Sequence, residues 1–408
     1  MMYKDFSPSL RQQMHFNSDL SPAERKLKFE KMTRSPFAFY RGSNFAFWAE
    51  FYDPTTPQET ITWIGGDQHP ANFGTYTLPD GRIVFGLNDC DDAVKADFRY
   101  DLLRMSTGIH LVAKANGLSM RDGYRASLEF VRAYTKQLEL LKRKPFKASS
   151  VTLVNSAPQP LSLWMKSLRA HYPWSKNGRF ISAPKKFSPV NYGEFDIIES
   201  AVGPKINSRV VDIVRRVGMG TGSLGVERFF LLANDGVVWD IKETNSATAH
   251  GFLEDKDSQS NAERAATAIK NLIGHKLAFA VTVEVPKVSG TKITYKTLHL
   301  LVKQYDQMKA SYPLTPEELE KGGSRLSLGK TKNLRAMCRV WGDELARAHV
   351  RAMQKDPSIN PNFVQDALIL CGDKIRFASV ISNQGYSFAK KTFSDYREFV
   401  SAHQRGLL

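Results

Sequence analysis

Two short segments near the start of the chain carry residue types that phosphate chemistry requires. Residues 66–72 read Gly-Asp-Gln-His-Pro-Ala-Asn and contain Asp67 and Asn72, and residues 88–92 read Asn-Asp-Cys-Asp-Asp and contain Asp89. Transfer of a phosphoryl group to a hydroxyl needs a carboxylate to accept or orient the attacking proton and an amide oxygen to hold Mg²⁺. Asp67 and Asn72 fit these two roles, and we predict Asp67, Asn72 and Asp89 as catalytic residues. His69 is expected to brace the first loop by hydrogen bonding.

The second segment is predicted to supply further oxygen ligands for the metal ion. Residues 75–78 and 82–87 are rich in apolar side chains and flank the turn 79–81, Pro-Asp-Gly, which predicts a hairpin ending at Asp89. Mg²⁺ is a hard cation that prefers oxygen, so the predicted metal ligands are Asn72, Asp89 and Asp91, with Asp92 as a further candidate. Taken alone, each aspartate could also be a turn or N-cap residue.

A glycine-rich segment much later in the chain is predicted to hold the phosphates of a nucleotide. Residues 226–232 after it read Val-Glu-Arg-Phe-Phe-Leu-Leu, followed by the turn 234–236, Asn-Asp-Gly, so the loop leads into a strand. A dinucleotide-binding loop would lead into a helix, whereas in protein kinases a glycine-rich loop covers the phosphates. The predicted cofactor-binding residues here are Gly218, Gly220, Gly222, Ser223 and Gly225.

Lys242 follows the glycine-rich segment on the second strand of a predicted hairpin, formed by residues 226–233 and 237–241. An ammonium at this position would neutralise the α- and β-phosphates of ATP, as the strand lysine of kinases does. The simpler interpretation of Lys242 alone is an exposed strand lysine, but the loop and hairpin upstream favour the functional one. Glu263 is the predicted carboxylate partner, because Glu243 points to the opposite face of the strand from Lys242.

The elements that must position these residues are a mixture of helices and short antiparallel strands. We predict a buried strand over 61–64 and a third hairpin over 281–288 and 292–302. Helices are predicted at 37–51, 97–115, 121–141, 261–278 and 334–353, and residues up to about 34 are also expected to be helical. The pattern indicates an α+β fold with a small antiparallel sheet and a larger, mostly helical part.

Composition limits the classes of partner. The 408 residues carry a formal net charge of +16, which favours anionic partners without choosing among them. No apolar run is long enough to span a bilayer and no signal-peptide stretch is present, which predicts a cytoplasmic protein; an effector exported without a classical signal is the alternative. Three widely spaced cysteines predict neither a disulfide framework nor a zinc site.

The basic charge is concentrated in residues 140–190, which contain no Asp or Glu. Trp164, Tyr172 and Trp174 are interleaved with the lysines and arginines of this stretch. A solvated basic insertion and a docking surface for an anionic partner are both open interpretations. The anionic partner would be a membrane, a nucleic acid or a substrate.

The segment 67–72 resembles the catalytic loop of small-molecule kinases, such as aminoglycoside phosphotransferases and choline kinases. Residues 97–102, Asp-Phe-Arg-Tyr-Asp-Leu, resemble these enzymes as well, and the resemblance implies that Asp101 supports the catalytic loop. A kinase chain runs from glycine-rich loop to lysine to catalytic loop to metal loop, whereas here the last two come first. This order implies a circularly permuted kinase-like fold. Its seam would lie between the helix containing residues 345–349 and the Asp67 loop, with His349 as a packing or bracing residue.

The chain from about residue 34 to residue 400 is also similar to the bacterial domain-of-unknown-function family numbered 2252. Cys90 stands where that family tends to have an aromatic residue, and Gly86 where it often has Asp. The motifs that carry the resemblance are 35–42, 66–74, 84–89, 217–220, 241–243, 304–309 and 345–349. The resemblance implies a bilobal kinase-like fold, and the motif at 304–309 adds Gln304 to the predicted cofactor-binding residues.

These inferences predict four regions and one leading function. The regions are an N-terminal helical segment (1–60), a first part of the helical lobe (61–200), a β-rich nucleotide-binding lobe (201–310) and a second part of the helical lobe (311–408). The leading function is an ATP- and Mg²⁺-dependent phosphotransferase acting on an unknown hydroxyl acceptor, which could be a small molecule, a lipid headgroup or a protein. The alternatives are a nucleotidyltransferase (AMPylation) on the same scaffold and a non-catalytic, pseudokinase-type binding protein. A metallophosphatase is disfavoured because the nine histidines are scattered.

Overall fold

The protein has an α+β fold in which small antiparallel sheets accompany a mostly helical remainder. The computed structural model describes residues 6–18, 20–170, 175–176, 178–180, 186–217, 226–253, 259–274, 277–289, 292–316, 318 and 328–408. The helices are α1 Pro8–Phe16, α2 Pro22–Met32, α3 Pro36–Gly42, α4 Asn44–Phe51, α5 Arg99–Ala115, α6 Met120–Arg143, α7 Leu161–Ser167, α8 Tyr192–Ile206, α9 Asn261–Ala268, α10 Thr331–Lys355, α11 Phe363–Cys371 and α12 Lys374–Gln404.

The strands form two larger antiparallel sheets and two short strand pairs. The strands are β1 Ile61–Ile64, β2 Phe73–Thr77, β3 Ile83–Leu87, β4 Val94–Asp97, β5 Thr152–Leu153, β6 Ser175–Lys176, β7 Arg179–Phe180, β8 Phe187–Pro189, β9 Val210–Arg216, β10 Arg228–Ala233, β11 Val238–Glu243, β12 Ala278–Ser289, β13 Lys292–Gln304 and β14 Ala310–Ser311. The six-stranded sheet has the order β12-β13-β11-β10-β9-β8, and the four-stranded sheet has the order β14-β2-β3-β5. The remaining pairs are β1 with β4 and β6 with β7. All three predicted hairpins are confirmed, as β2–β3, β10–β11 and β12–β13.

The six-stranded sheet has its own hydrophobic core, which α8 covers. Ile198 and Val202 of α8 pack with Phe229, Leu231 and other buried residues of the sheet. Because β8 pairs with β9 and α8 packs on the same core, residues from 187 onward contribute to this sheet and its covering helix. The larger core lies among α5, α6, α10 and α12, where α6 and α10 pack along each other.

The aromatic segment 37–51 forms two helices where a single helix was predicted. Helix α3 ends at Gly42 and α4 begins at Asn44, with Ser43 between them. A Cβ atom on Gly42 would lie 2.6 Å from the Cγ atom of Met32, so the glycine at the end of α3 lets α2 pack closely against it. Phe29, Phe39 and Phe399 join these N-terminal helices to α12 in a small cluster of their own.

The predicted helix 261–278 is shorter than expected. Helix α9 ends at Ala268, a single π-helical turn continues to Ile273, and β12 begins at Ala278. Gly274 has a φ angle of +84°, the left-handed conformation that commonly ends a helix and that glycine adopts without strain. The chain can therefore turn sharply into the sheet at this position.

Part of the basic stretch is built into the core. Trp164 of α7 is buried and packs edge-on against Phe85 and Tyr312, while Ala148 accepts a hydrogen bond from Arg351 at 2.7 Å. Trp164 is thus a core residue, whereas Tyr172 and Trp174 lie outside the described residues. Among the described helices, none has the length and apolar character needed to cross a bilayer.

Candidate active site

Asp101 stabilises the loop that carries Asp67 through hydrogen bonds to the loop backbone. The carboxylate of Asp101 accepts hydrogen bonds from the backbone N–H groups of Gly65 (2.8 Å) and Gly66 (3.2 Å). The Asp101 carboxylate also contacts His349, whose Nε2 lies 3.2 Å from Oδ2 of Asp101. The hydroxyl of Tyr134 contacts Nδ1 of the same histidine ring at 2.8 Å. The supporting role predicted for Asp101 and the bracing role of His349 are therefore both seen as direct contacts.

Gly66 lets this loop touch the second acidic loop. Its φ angle is +69°, and a Cβ atom there would lie 2.0 Å from the carbonyl oxygen of Asp92. No other residue type fits such a close approach of two backbones. The carbonyl oxygen of Gly66 accepts hydrogen bonds from the side chains of Trp48 (3.0 Å) and Asn44 (3.2 Å), which fixes the turn from α4.

Asp67 is paired with Arg104, a residue that the sequence argument did not select. The Nε atom of Arg104 donates to Oδ1 of Asp67 at 2.6 Å, and the guanidinium lies over the rings of Tyr40 and Phe47. A signal was present in the sequence, because Arg104 follows Asp101 by three residues and so lies on the same face of α5. Burial raises the pKa of Asp67 to about 7, against the opposing effect of the Arg104 charge.

His69 and Asn72 close the loop through its backbone. The carbonyl oxygen of His69 accepts a hydrogen bond from the backbone N–H of Asn72 at 2.9 Å, and the Asn72 side-chain amide donates to the carbonyl oxygen of Asp67 at 2.9 Å. The Nε2 atom of His69 is 3.7 Å from Oδ2 of Asp67, beyond hydrogen-bond distance. The bracing predicted for His69 therefore comes from its main chain, and the amide oxygen of Asn72 is not used by these bonds.

The second acidic loop places its carboxylates in different environments. Among the described residues, the contact to the Asp89 side chain is a long one, 3.4 Å, from the backbone N–H of Asp91. Asp92 accepts hydrogen bonds from the backbone (2.9 Å) and hydroxyl (3.3 Å) of Thr248. Asp91 is paired with the ammonium of Lys242. Asp92 thus fastens the loop to the segment after β11, while Asp91 contacts Lys242 and the charge of Asp89 also attracts that lysine.

Lys242 and Asp91 form a largely buried ion pair. Burial raises the pKa of Asp91, but the nearby charges of Lys242 and Lys303 outweigh it and hold the pKa well below its usual range. Burial likewise lowers the pKa of Lys242, and the charge of Asp91 reverses the effect and raises it. Both side chains are therefore ionised at neutral pH.

Glu263 does not reach Lys242, which corrects the predicted pairing. Its carboxylate accepts hydrogen bonds from the backbone (2.9 Å) and hydroxyl (2.8 Å) of Ser260, so it caps the start of α9. The spacing of Ser260 and Glu263 is the capping-box pattern, and it was legible in the sequence. The neighbouring Arg264 is the residue of α9 that reaches the site.

Arg264 is buried and donates to three backbone carbonyl groups. Two belong to the second acidic loop, at Ala93 and at Asp91 (2.8 Å), and the third belongs to Asn245 (3.3 Å), just after β11. This arginine therefore ties α9 to both chain segments that supply the Lys242–Asp91 pair. Sequence reasoning missed it, because a buried arginine bound to carbonyl groups has no local pattern.

Most of the predicted site residues that the structure describes meet around one cavity of about 290 Å³, which we name the first cavity. It is lined by Asp67, Asn72, Asp89, Asp91 and Lys242, together with Arg41, Asp92, Val226 and the segment 243–246. A cavity of about 410 Å³ elsewhere, beside Tyr100, contains none of the predicted residues. The chemistry of the lining, rather than the size of the opening, therefore selects the first cavity as the candidate site.

A second cavity of about 220 Å³ also borders the second acidic loop. Asp89 and Asp91 line both cavities, and Gln304, Arg228 and Lys303 line the second. Gln304 is therefore near the site but not in the first cavity. Gly218, Gly220, Gly222, Ser223 and Gly225 lie outside the described residues, while Val226, which follows them, lines the first cavity.

The oxygen ligands predicted for Mg²⁺ fit that ion in type. Asn72, Asp89 and Asp91 present amide and carboxylate oxygens to the first cavity. Within the described part of the chain, no group of three or more His, Cys, Asp or Glu side chains is arranged to hold a metal ion. Mg²⁺ is usually bound by one or two carboxylates together with substrate phosphates and water, so a complete protein cage is not needed.

Comparison with known proteins identifies a family without a described activity. A family profile described as "Uncharacterized protein conserved in bacteria (DUF2252)" matches residues 20–162 and 203–402. No curated protein and no solved structure matches the chain. The chain therefore belongs to the bacterial DUF2252 family, as the sequence motifs implied.

Proposed function

We propose that this DUF2252 protein is an ATP- and Mg²⁺-dependent phosphotransferase with a circularly permuted kinase-like fold. One observation carries the proposal: Asp67, Asn72, Asp89, Asp91 and Lys242 line a single cavity, although Lys242 is separated from Asp91 by 151 positions. A phosphoryl-transfer site is built from a carboxylate that acts as base, amide and carboxylate oxygens that bind the metal ion, and a lysine on a strand.

The arrangement of the strands supports the kinase-like interpretation. Lys242 lies on β11, the third of the consecutive antiparallel strands β9, β10 and β11, and the glycine-rich segment falls between the first two. In protein kinases the glycine-rich loop precedes the strand that carries the lysine in the same way. The helix α10, whose His349 touches Asp101, stands beside the Asp67 loop, as the proposed seam requires.

Asp67 is the proposed base. In the reaction, the acceptor hydroxyl oxygen would bond to the γ-phosphorus of ATP, the bond from that phosphorus to the β-bridging oxygen would break, and ADP would leave. Asp67 would take the hydroxyl proton, and its pKa of about 7 suits a base that works near neutral pH. Mg²⁺, when bound, would neutralise charge on the phosphate oxygens.

Lys242 and Asn72 have positioning roles in this proposal. The Lys242 ammonium would hold the α- and β-phosphates, with Asp91 keeping it charged and fixed in direction. The amide oxygen of Asn72 and the carboxylates of Asp89 and Asp91 would face the metal ion. The acceptor in this proposal is a hydroxyl compound.

Two measurements test the proposal. Mg·ATP should raise the melting temperature of the wild-type protein, and Lys242→Ala should abolish this shift while Lys332→Ala, at an exposed position on α10, should keep it. The purified protein should then transfer label from γ-labelled ATP, but not α-labelled ATP, to itself or to a bacterial extract. Transfer of the α label would indicate the nucleotidyltransferase alternative. Binding without transfer of either label would indicate the pseudokinase-type alternative, and an unchanged melting temperature on adding Mg·ATP would overturn the proposed phosphotransferase.

A further inference from the structure

One face of the six-stranded sheet concentrates charged side chains around the second cavity. Arg228 lies directly opposite Lys242 in the β10–β11 register, and Asp240 lies opposite Lys303 in the β11–β13 register. Directly opposed residues share a face of a sheet, as do Asp240 and Lys242, which are two residues apart. The four side chains therefore project from the same face.

Three of these four charges, those of Arg228, Asp240 and Lys242, are satisfied by protein partners. The guanidinium of Arg228 donates two hydrogen bonds of 2.6 Å to the carboxylate of Asp240, and Lys242 pairs with Asp91. Lys303 forms no ion pair or side-chain hydrogen bond with any residue that the structure describes, and the same holds for Lys309 just after β13. The only contact to the Asp89 carboxylate among the described residues is the long one from its own loop.

The three unpaired groups converge on the second cavity. Asp89, Lys303 and Lys309 all line it, together with the Arg228–Asp240 pair. The charge of Lys309 interacts repulsively with that of Lys303 and attractively with those of Asp89 and Asp91. The cavity thus holds two like charges near each other and an opposite charge that is too far away to pair with them.

This arrangement fits a ligand that carries both signs of charge. Phosphate oxygens would bind two lysine ammonium groups through charge-assisted hydrogen bonds, and a metal ion attached to the phosphates would face the Asp89 carboxylate. An aromatic base is a poor fit, because sites for apolar rings are lined mainly by apolar and aromatic side chains. Here the charged residues Asp89, Asp91, Arg228, Asp240, Lys303 and Lys309 supply much of the wall.

We propose that the second cavity binds a magnesium-bound diphosphate or polyphosphate group, with Lys303 and Lys309 holding its oxygens and Asp89 facing the metal ion. The inference deepens the proposed function and rests on it for the identity of the metal. Two sources offer the same chemistry, namely the phosphate chain of a nucleotide and free inorganic pyrophosphate. The experiment below separates them.

The test is a titration calorimetry series on the full-length protein with three probes: Mg²⁺-pyrophosphate, Mg·ATP and adenosine. The variants are Lys303→Met, Lys309→Met and the double variant, with Lys332→Met as the matched control at an exposed position. Each single substitution removes one charge-assisted contact and is expected to weaken phosphate binding about tenfold, and the double variant more. Lys303→Arg, which keeps the charge, should retain most of the affinity and exclude a folding defect as the cause.

The outcomes are decisive in both directions. Weaker binding of Mg²⁺-pyrophosphate alone assigns the cavity to a free diphosphate, and weaker binding of Mg·ATP assigns it to a nucleotide. Unchanged affinity for both in the double variant, or adenosine binding that depends on these lysines, overturns the inference. If Mg·ATP binding needs Lys242 but not Lys303 or Lys309, the proposed function stands and this inference fails. If Mg²⁺-pyrophosphate binds through the two lysines while Mg·ATP does not bind, this inference stands and the proposed function fails.

Discussion

The ammonium of Lys242 is paired with the carboxylate of Asp91, a residue 151 positions earlier in the chain. The pair joins the six-stranded sheet to the second acidic loop. The predicted partner of Lys242 was a different carboxylate, that of Glu263 on α9. Both groups are mostly shielded from solvent, with side-chain exposures of 10% and 28%. The contact therefore links the folding of two distant segments to the geometry of the candidate site.

Breaking this pair from one side should destabilise the protein. Lys242→Met leaves the Asp91 carboxylate largely buried and without its partner, and we expect the free energy of unfolding to fall by about 3 kcal/mol. The double variant Lys242→Met/Asp91→Asn removes both charges and should recover at least about 1 kcal/mol of that loss. Urea unfolding of the four proteins in this cycle measures the coupling. Additive effects would show that the pair contributes no coupling energy.

The contributions of Asp101 and His349 to the free energy of unfolding should also be coupled, because the two side chains contact each other next to the Asp67 loop. Asp101→Asn weakens the hydrogen bonds to Gly65 and Gly66, at an expected cost of about 2 kcal/mol. His349→Gln removes the ring that contacts Asp101, so the double variant should lose about 1 kcal/mol less than the sum of the single losses. Amide hydrogen exchange at Gly65 and Gly66 provides the second measurement. Exchange that is as slow in Asp101→Asn as in the wild type would contradict the bracing role.

Local signals in the sequence were sufficient for the elements but not for every partner. The turns 79–81 and 234–236 carry glycine and aspartate, which set hairpin geometry within a few residues, so both hairpins could be predicted. The positions of Asp67, Asn72 and Lys242 in one cavity followed from motif chemistry. The hairpin predictions rest on signals that lie close together in the chain, whereas the meeting of Asp67, Asn72 and Lys242 was predicted from the residue types that one reaction requires.

The partners that were missed depend on packing over long distances. Arg104 reaches Asp67 because α5 packs beneath the loop, and Arg264 reaches Asp91 because α9 packs against it. The approach of Arg264 leaves no periodic or capping pattern, and that of Arg104 leaves only its helical spacing from Asp101. Glu263 is the opposite case. The spacing of Ser260 and Glu263 indicates a local capping hydrogen bond, which the structure contains, whereas the distant Lys242 had been predicted as the partner of Glu263.

Arg264 should be needed to hold the second acidic loop. Arg264→Met leaves buried carbonyl groups at Asp91 and Ala93 without their donor, and we expect the protein to lose about 3 kcal/mol of stability. Arg121→Met, at an exposed position on α6, is the control and should change stability by less than about 0.5 kcal/mol. Hydrogen exchange over residues 89–93 should accelerate only in Arg264→Met. Equal protection of this loop in both variants would contradict the holding role.

The raised pKa of Asp67 predicts a pH dependence of stability. Burial raises this pKa to about 7 in the folded protein, whereas an aspartate in an unfolded chain titrates near pH 4 (about 3.9). Between these values the folded state keeps a proton that the unfolded state has released, so stability falls as the pH rises through this window. Asp67→Asn does not titrate, and its stability relative to the wild type should therefore increase from about pH 4 to about pH 7 and then level off.

Urea unfolding at several pH values between 4 and 8 measures this difference. Asp80→Asn is the control, because Asp80 lies in an exposed turn beside Arg82 and its pKa is lowered by that contact. The control should show no increase above pH 5. A difference between Asp67→Asn and wild type that stays constant from pH 4 to pH 8 would show that the pKa of Asp67 is not raised.

Arg104 should set the pH at which Asp67 becomes a base. Burial is the main influence on Asp67 and raises its pKa, while the Arg104 guanidinium is the main opposing charge. In Arg104→Met the opposing charge is lost, so the pKa of Asp67 should rise by at least about one further unit. Methionine is flexible and apolar enough to occupy the space between the Tyr40 and Phe47 rings, which limits the packing loss.

The carboxyl carbon resonance of Asp67, assigned by its absence in Asp67→Asn, reports this pKa directly and needs no activity. If Asp67 is the base, the pH at half-maximal transfer should move to higher values by the same amount as the resonance. Arg99→Met is the matched control, because Arg99 pairs with Asp97 and should leave the titration of Asp67 unchanged. A pKa that stays constant or falls in Arg104→Met would mean that the Arg104 charge does not govern Asp67. If the resonance of Asp67 shifts in Arg104→Met but the pH profile of the transfer rate does not, the effect of Arg104 on Asp67 is supported and Asp67 is not the base.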